Sequence, residues 1–147
     1  SKFTLKKEIE NILTNIDVTT LSWLDFNKKL KDEFTSKGWE AEPNIFDKHD
    51  DSSAKTDFLK DRVGIEVNFG HSSFIGIDLL KFQISSHSSF DNIDIGVYIV
   101  TTKNFQKEMI KIGNKWISSL NYEKVIEYLP HFKSAIQVPI YGIGIDF

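Results

Sequence analysis

The sequence predicts an α/β protein in which helices cover a mixed β-sheet. Three observations favour this class. Apolar residues recur at helical spacing in five segments, every second residue is apolar in one β-prone segment, and a nearly continuous apolar run follows later in the chain. A helical segment lies between the β-prone segment and the apolar run, an order that is typical of a crossover between two parallel strands.

The length and composition fit one globular domain. The chain has 147 residues, of which 40% are hydrophobic and 27% are charged. We predict a single domain over residues 1–147, with a helical part at 1–41, a loop at 42–54 and a sheet core at 55–147. No apolar run reaches the roughly 18 residues that a bilayer span requires, and the start lacks the apolar stretch of a signal peptide. These features predict a soluble intracellular protein without a membrane partner.

The helical part contains two amphipathic segments. Residues 3–13 and 24–37 each carry apolar side chains at intervals of three and four residues, which predicts two helices. Gly38 follows the second segment at the position of a helix C-cap, and Trp39 is predicted to return to the core. Pro43 and the polar residues after it have neither helical nor strand periodicity, which predicts a surface loop.

The second half of the chain is predicted to build the sheet. The expected elements are a strand at 62–69, a helix at 73–85, a strand at 93–100, helices at 105–112 and 122–129, and a strand at 138–145. The helix at 73–85 has the following side chains at helical spacing: Phe74, Ile77, Leu80, Lys81 and Ile84. The predicted order is α-α-β-α-β-α-α-β.

One strand of this sheet carries an acidic residue at its centre. Glu66 lies in an otherwise apolar strand, where burial of an unpaired carboxylate is costly. Asn68 shares its face of the strand, and Asp57 lies far enough upstream for a hairpin to bring it alongside. Asp61 competes with Asp57 for this position, but Asp61 is expected in the hairpin turn itself. Two adjacent carboxylates call for a shared proton or a cation, and oxygen ligands in a chain without cysteine favour Mg²⁺ or Mn²⁺ over zinc.

The charge balance shows no general affinity for nucleic acid. Eighteen basic and 21 acidic residues give a net charge of -3, so that any contact with DNA must come from a local patch. Arg62 is the only arginine and hence the one candidate for bidentate recognition of guanine. The four histidines lack the spacing of a zinc site.

The acidic residues also carry a resemblance. Asp57 followed by Glu66-Val67-Asn68 resembles the metal-binding core of the PD-(D/E)xK nuclease superfamily. The continuation at residues 69–70, 78–82 and 93–97 is similar to the BglII/BstYI group of restriction endonucleases, in which glutamine takes the place of Asn68. The similarity covers roughly residues 56–100, and it implies a restriction-endonuclease-like fold, with a central mixed sheet flanked by helices.

The resemblance also implies an activity. It points to a Mg²⁺-dependent DNA endonuclease of the type II restriction kind, with Mn²⁺ as a substitute ion. Asp57, Glu66 and the main-chain carbonyl of Val67 would hold the ion, and Glu33 on the second helix would add a ligand. Asn68 would orient the attacking water.

The partners follow from this activity. Lys60, His71, Ser72 and Lys81 are the nearest candidates for contacts with DNA phosphates. Cleavage of both strands of double-stranded DNA implies a homodimer with one site on each subunit, in the cytoplasm of a bacterial or archaeal cell. Two alternatives stay open: a nuclease-fold module that binds DNA without cleaving it, and a small protein-interaction domain in which the acidic residues form a structural cluster.

Overall fold

The computed structural model describes residues 1–43, 55–87, 91–116 and 118–147, so most of the predicted loop at 42–54 lies outside the described residues. Its helices are α1 (Lys2–Thr14), α2 (Trp23–Ser36), α3 (Ile75–Ser86), α4 (Lys103–Lys111) and α5 (Tyr122–Tyr128), and short 3-10 turns lie at Val18–Thr20, Ser72–Phe74 and Leu129–Phe132. Its strands are β1 (Glu40–Ala41), β2 (Phe58–Lys60), β3 (Val63–Val67), β4 (Ile95–Thr101) and β5 (Ile140–Ile145).

The five strands form one mixed sheet in the order β1-β2-β3-β4-β5. The pairs β1–β2 and β2–β3 are antiparallel, whereas β3–β4 and β4–β5 are parallel. Helix α3 connects β3 to β4, as expected for two parallel strands. The predicted fold class is therefore confirmed, and β1 and β2 add two short strands to the predicted order.

Helices cover both faces of the sheet. Val63 and Ile65 of β3 belong to the apolar cluster that contains α1, α2 and α4. Tyr98 and Val100 of β4 belong to the opposite cluster, which contains α3 and α5. Because side chains alternate along a strand, Glu66 lies on the α3 side of β3. The acidic position is therefore enclosed between the sheet and a helix.

The end of α2 follows the predicted pattern. Ser22 caps its first turn by accepting a hydrogen bond from the backbone N–H of Asp25. Gly38, just beyond the helix, has a φ of 87°, which a residue without Cβ adopts most readily. Trp39 then enters the core, as predicted.

Within the described residues, none of the helices combines the length and the apolar character that crossing a bilayer requires.

Helix α3 packs on the sheet with a different face from the one that its spacing suggested. Phe74, Ile77 and Leu80 remain 51%, 54% and 50% exposed. The buried face is formed by other side chains: Ile75, Asp78, Leu79, Phe82 and Ser85. Periodicity could not select the face because this segment is apolar on two sides.

Candidate active site

The hairpin of β2 and β3 brings Asp57 and Glu66 together. Its turn is formed by Asp61 and the residue after it, whose φ angles of 46° and 67° are those of a two-residue hairpin loop. Phe58 pairs with Ile65, and the same register continued by one residue sets Asp57 across from Glu66. The expected hairpin is present, and Asp61 lies in its turn.

Glu66 is the most enclosed acid of this pair, at 2% exposure. Its Oε2 lies 3.7 Å from Lys81 Nζ, whereas its Oε1 is buried and has no hydrogen-bond partner within the described residues. Burial, and then the charge of Asp57, raises the pKa of Glu66 to about 9. When Glu66 is protonated, it can form a hydrogen bond with Asp57. When both groups are ionised, their carboxylates repel each other, and a cation between them would offset the repulsion.

Asp57 is half-buried and forms the outer edge of the pair. Its Oδ2 accepts a hydrogen bond from the backbone N–H of Val67 at 2.7 Å, which fixes the carboxylate against β3. Burial raises its pKa, and the hydrogen bond with Val67 only partly offsets that effect. The Val67 main chain therefore lies beside the acidic pair, where its carbonyl was predicted to help hold an ion.

Asp78 of α3 is a third buried acid near the pair. It lies one helical turn before Lys81, with Oδ1 4.0 Å from the ammonium, and burial raises its pKa. Lys81 is the only basic side chain in an ion pair with these acids among the described residues. Three carboxylates and one ammonium leave two negative charges when all are ionised, and one divalent cation would balance them.

The donor set fits a small oxygen-binding ion held by two carboxylates. In the part of the chain that the structure describes, no three histidine or acidic side chains are grouped so that they could hold a metal ion together. Asp57 and Glu66 would thus need main-chain oxygen or water as further ligands, a coordination that Mg²⁺ commonly accepts. The unpartnered Oε1 of Glu66 is an oxygen that is available as a ligand for such an ion.

Asn68 is held differently from what the sequence suggested. Its Nδ2 donates hydrogen bonds to Asp78 Oδ2 at 2.9 Å and to Tyr98 Oη at 3.3 Å. Its Oδ1 accepts a hydrogen bond from the backbone N–H of Gly70 at 2.8 Å. Both hydrogens of the amide nitrogen are therefore used by buried protein groups, so that only the second lone pair of Oδ1 is left to contact a water.

Of the four predicted phosphate contacts, the structure brings only Lys81 to the acidic pair. Lys60 donates hydrogen bonds to Glu8 at 3.0 Å and to the carbonyl of residue 37 at 2.6 Å. Ser72 is tied through its backbone N–H to Ser119 Oγ. His71 is exposed and its Nδ1 accepts a hydrogen bond from the backbone N–H of Ser73.

Glu33 does not lie with the pair, so the expectation that it adds a ligand is not supported. It lines a groove between α1 and α2 together with Glu8 and Lys37. Asp57 instead lines a cleft to which α2 contributes Asn27 and Lys31. Position 33 is on another side of α2 from positions 27 and 31, because each residue advances the helix by 100°.

The cleft beside α2 gives Asp57, the outer member of the pair, access to solvent. It is open, has a volume of about 330 Å³ and is lined from α2, β1, β2 and β3. Lys28 and Lys31 lie along it, and Lys31 also pairs with Glu42 at 3.3 Å. Sequence reasoning missed both lysines. The available signal was their placement on the polar side of a predicted amphipathic helix, which surface lysines share in most proteins.

Arg62 is not free to read a base. Its guanidinium forms ion pairs with Asp91 and, at 2.9 Å, with Asp94. These contacts raise the pKa of Arg62 further above its ordinary value and lower that of Asp94. The residue therefore ties the β2–β3 turn to the segment that precedes β4.

Comparisons with known proteins agree with this fold. The model of the restriction endonuclease BglII/BglIII family matches residues 2–145. None of the curated protein sequences compared with the chain matches it significantly. The structure is similar to the crystal structure of restriction endonuclease BglII complexed with a DNA 16-mer, with a TM-score of 0.70 and 22% identity over 98% of this chain and 72% of that chain.

The free form of BglII is also similar, with a TM-score of 0.64 and 20% identity over 98% of this chain and 72% of that one. At these identities the two structures support the fold and its restriction-endonuclease-like arrangement. The family match also supports membership of the family, because it spans nearly the whole sequence. The chain therefore belongs to the restriction endonuclease BglII/BglIII family.

Proposed function

We propose that this protein is a Mg²⁺-dependent endonuclease of the type II restriction kind, which hydrolyses phosphodiester bonds in double-stranded DNA. The observation that carries the proposal is the buried pair of Asp57 and Glu66, in which Glu66 Oε1 has no partner within the described residues and Asp57 opens onto a cleft. Family membership supports nuclease chemistry over a small interaction domain. Mn²⁺ would substitute for Mg²⁺, because both ions accept carboxylate, carbonyl and water ligands.

The chain's own residues would divide the work as follows. Asp57, Glu66 and the main-chain carbonyl of Val67 would hold the ion at the inner end of the cleft. A bound Mg²⁺ supplies positive charge to the scissile phosphate and lowers the pKa of the attacking water. The hydrogen bond from Val67 N–H keeps the Asp57 carboxylate fixed, so little reorganisation of this ligand is needed when the ion binds.

DNA would approach along the cleft that α2 borders. Lys28 and Lys31 line it and have the charge to contact phosphates on either side of the scissile bond. His71 and Ser72, which follow β3, stay candidate phosphate contacts, whereas the ammonium of Lys81 already faces Glu66 and Asp78. Lys60 is a weaker candidate because its ammonium is already paired with Glu8.

A homodimer would place one site on each strand of the duplex. Helix α3 and the 3-10 turn before it have a side that is about half exposed within the described residues, at Phe74, Ile77 and Leu80. Apolar side chains three residues apart on one helix form a continuous strip, which suits a two-fold contact with the same strip of a second copy. The proposal keeps the predicted location in the cytoplasm of a bacterial or archaeal cell, where the DNA substrate would be.

The test is cleavage of DNA by the wild-type protein and by isosteric variants of the pair. Unmethylated bacteriophage genomic DNA is incubated with protein and Mg²⁺, with Mn²⁺, or with a chelator. We expect discrete fragments with either ion and none with the chelator. Asp57→Asn and Glu66→Gln should lose cleavage, whereas Asp61→Asn, which changes an acid in the hairpin turn, should retain it.

Three results would overturn parts of this proposal. Equal cleavage by Glu66→Gln would remove the carboxylate from the mechanism, and cleavage with the chelator would remove the ion. DNA binding without cleavage under any divalent ion would identify a nuclease-fold binding module instead.

A further inference from the structure

The amide of Asn68 belongs to a closed set of buried hydrogen bonds. Tyr98 Oη donates to Asp78 Oδ2 at 2.6 Å and accepts from Asn68 Nδ2, which also donates to Asp78 Oδ2. The three side chains are buried. Since the set satisfies the tyrosine hydroxyl and both amide hydrogens, its effect is to fix the carboxylate of Asp78.

Asp78 in turn borders Lys81. Its second oxygen, Oδ1, faces the ammonium at 4.0 Å, and Glu66 Oε2 faces the same ammonium at 3.7 Å. The side chain of Lys81 is 24% exposed, and those of the two acids are 11% and 3% exposed. The ammonium therefore lies between two buried carboxylates, and α3 brings Asp78 and Lys81 to the site together.

This contact makes the two oxygens of Glu66 unequal. Oε2 is occupied by the ion pair with Lys81, while Oε1 is buried and has no partner within the described residues. An ion pair on one oxygen limits rotation of the carboxylate. The other oxygen is left as the ligand atom for a cation shared with Asp57.

We propose that Lys81 acts from helix α3 as the positioning residue of Glu66, and that Asn68 holds Lys81 in place through Asp78 instead of orienting the attacking water. The inference rests on the proposed function and deepens it, because it names the residues that hold the Glu66 carboxylate in place. It also means that Lys81 is not a contact for a DNA phosphate. A lysine between two buried acids already has its counter-charges in the protein.

The first test compares Lys81→Met and Lys81→Arg with Lys111→Met. Lys111 is a matched control because it pairs with Glu108 three residues earlier on α4, as Lys81 pairs with Asp78 on α3. Cut sites are mapped on the bacteriophage DNA, and the single-turnover rate is measured on a short duplex that contains one site. DNA affinity is measured with Ca²⁺ in place of Mg²⁺ over a range of salt concentrations.

We expect Lys81→Met to lower the single-turnover rate by on the order of 10²-fold, as loss of a preorganised charge contact does in other enzymes. DNA affinity and its salt dependence should stay at the wild-type level. Lys81→Arg should recover part of the rate, and Lys111→Met should match the wild type. A phosphate contact would behave differently, since its loss weakens binding and lowers the salt slope by about 1.

The second test examines the link from Asn68 to Lys81 by double-mutant cycles. Tyr98→Phe removes one hydroxyl from the hydrogen-bonded set and should lower the rate while the protein stays folded. Asn68→Gln forces an extra methylene into the same buried space and should lower it further. In the Lys81→Met background both changes should have little additional effect, because the residue through which they act is absent.

The outcomes separate this inference from the proposed function. If the wild type cleaves and Lys81→Met cleaves as fast, the inference is wrong and the nuclease assignment stands. Weaker DNA binding by Lys81→Met at an unchanged rate would also contradict it, as would fully additive effects of Asn68→Gln and Lys81→Met. If the wild type cleaves no DNA with any divalent ion, the inference and the nuclease assignment are both wrong.

Discussion

Ionisation of Glu66 carries a large electrostatic cost at the candidate site. Burial and the nearby Asp57 raise its pKa from an ordinary 4.5 to about 9. A carboxyl group with a higher pKa in the folded chain binds a proton more tightly there than in the unfolded chain. The free energy of unfolding therefore falls as the pH rises through the interval between the two pKa values.

The metal-free protein should accordingly lose thermal stability between about pH 5 and about pH 9. Glu66→Gln should be more stable than the wild type at the upper end of this range, because it has no charge to bury, and its stability should depend less on pH. Calorimetry in the presence of a chelator measures both effects. Asp61→Asn serves as the control and should keep the pH dependence of the wild type, and an equally steep dependence in Glu66→Gln would contradict the assignment.

A divalent ion should reverse this pH dependence, since it can bind only after the shared proton has left. Mg²⁺ should therefore raise the melting temperature more at about pH 8.5 than at about pH 6. Glu66→Gln should show little of this increase. An increase of the same size in that variant would mean that Mg²⁺ binds elsewhere.

At the scale of residues, the sequence allowed the acidic pair to be predicted but not its surroundings. The proximity of Asp57 and Glu66 could be predicted because the register of a hairpin fixes which residues lie opposite each other. The contacts of Asn68 with Asp78 and Tyr98 span 10 and 30 residues, and their formation depends on how α3 packs. One signal was present: Asp78 follows the buried Ile75 by three residues, so it lies on the same side of the helix.

At the scale of elements, the position of α3 depends on a close approach to β4. A Cβ added to Gly96 would lie 2.5 Å from Cδ1 of the buried Phe82, so a larger residue would push the helix off the sheet. Gly76 also lies in this region, at the start of α3, but nothing is within 4 Å of a Cβ added there. The two glycines form a matched pair for substitution.

Gly96→Ala should lower the free energy of unfolding by about 1–3 kcal/mol, the usual cost of overpacking a core. Gly76→Ala should be neutral or should stabilise the protein by up to about 1 kcal/mol, because alanine favours the helix. Chemical denaturation of the two variants measures both values. Equal stabilities would show that α3 can shift on the sheet without cost.

Most elements could be predicted from local patterns, and the exceptions have physical reasons. Helices α1, α2 and α4 have one apolar side each, and their predicted positions agree with the structure to within two residues. Strand β1 has only two residues, which is too short for any period. Helix α3 has two apolar sides, and only the three-dimensional packing decides which one meets the sheet.

At the scale of the whole molecule, we propose that the chain is a single domain, as the sequence suggested. Strand β1 follows the helical part directly and pairs with β2 of the sheet core, so the two parts share one sheet. A single cooperative unfolding transition is expected in calorimetry. Two separate transitions would contradict a single domain.

The cleft beside α2 should determine how strongly DNA binding responds to salt. If Lys28 and Lys31 each neutralise one phosphate, replacement of both by alanine should reduce the salt slope of binding by about 2. Lys7, which lines the groove on the opposite side of α2 with Glu33, provides the control. An unchanged slope in the double variant would move the DNA path away from this cleft.

The uncovered strip on α3 should govern assembly. Ile77→Glu combined with Leu80→Glu would place charges in a two-fold apolar contact and should convert a dimer into monomers, as measured by sedimentation velocity. Ile110→Glu, on the exposed side of α4, is a control with a similar exposure. A wild type that is monomeric at all concentrations, or a dimer that survives the double change, would exclude this strip as the contact.

The two sides of helix α3 therefore belong to two different surfaces. Its inner side carries Asp78 and Lys81 against Glu66, and its outer side is the apolar strip. Leu80 on the outer side and Lys81 on the inner side are neighbours in the sequence, so a contact at the strip would lie next to the ammonium. If two copies meet there, we expect each subunit to influence the alignment of the Glu66 carboxylate in its neighbour, so that cleavage would be fastest in the dimer.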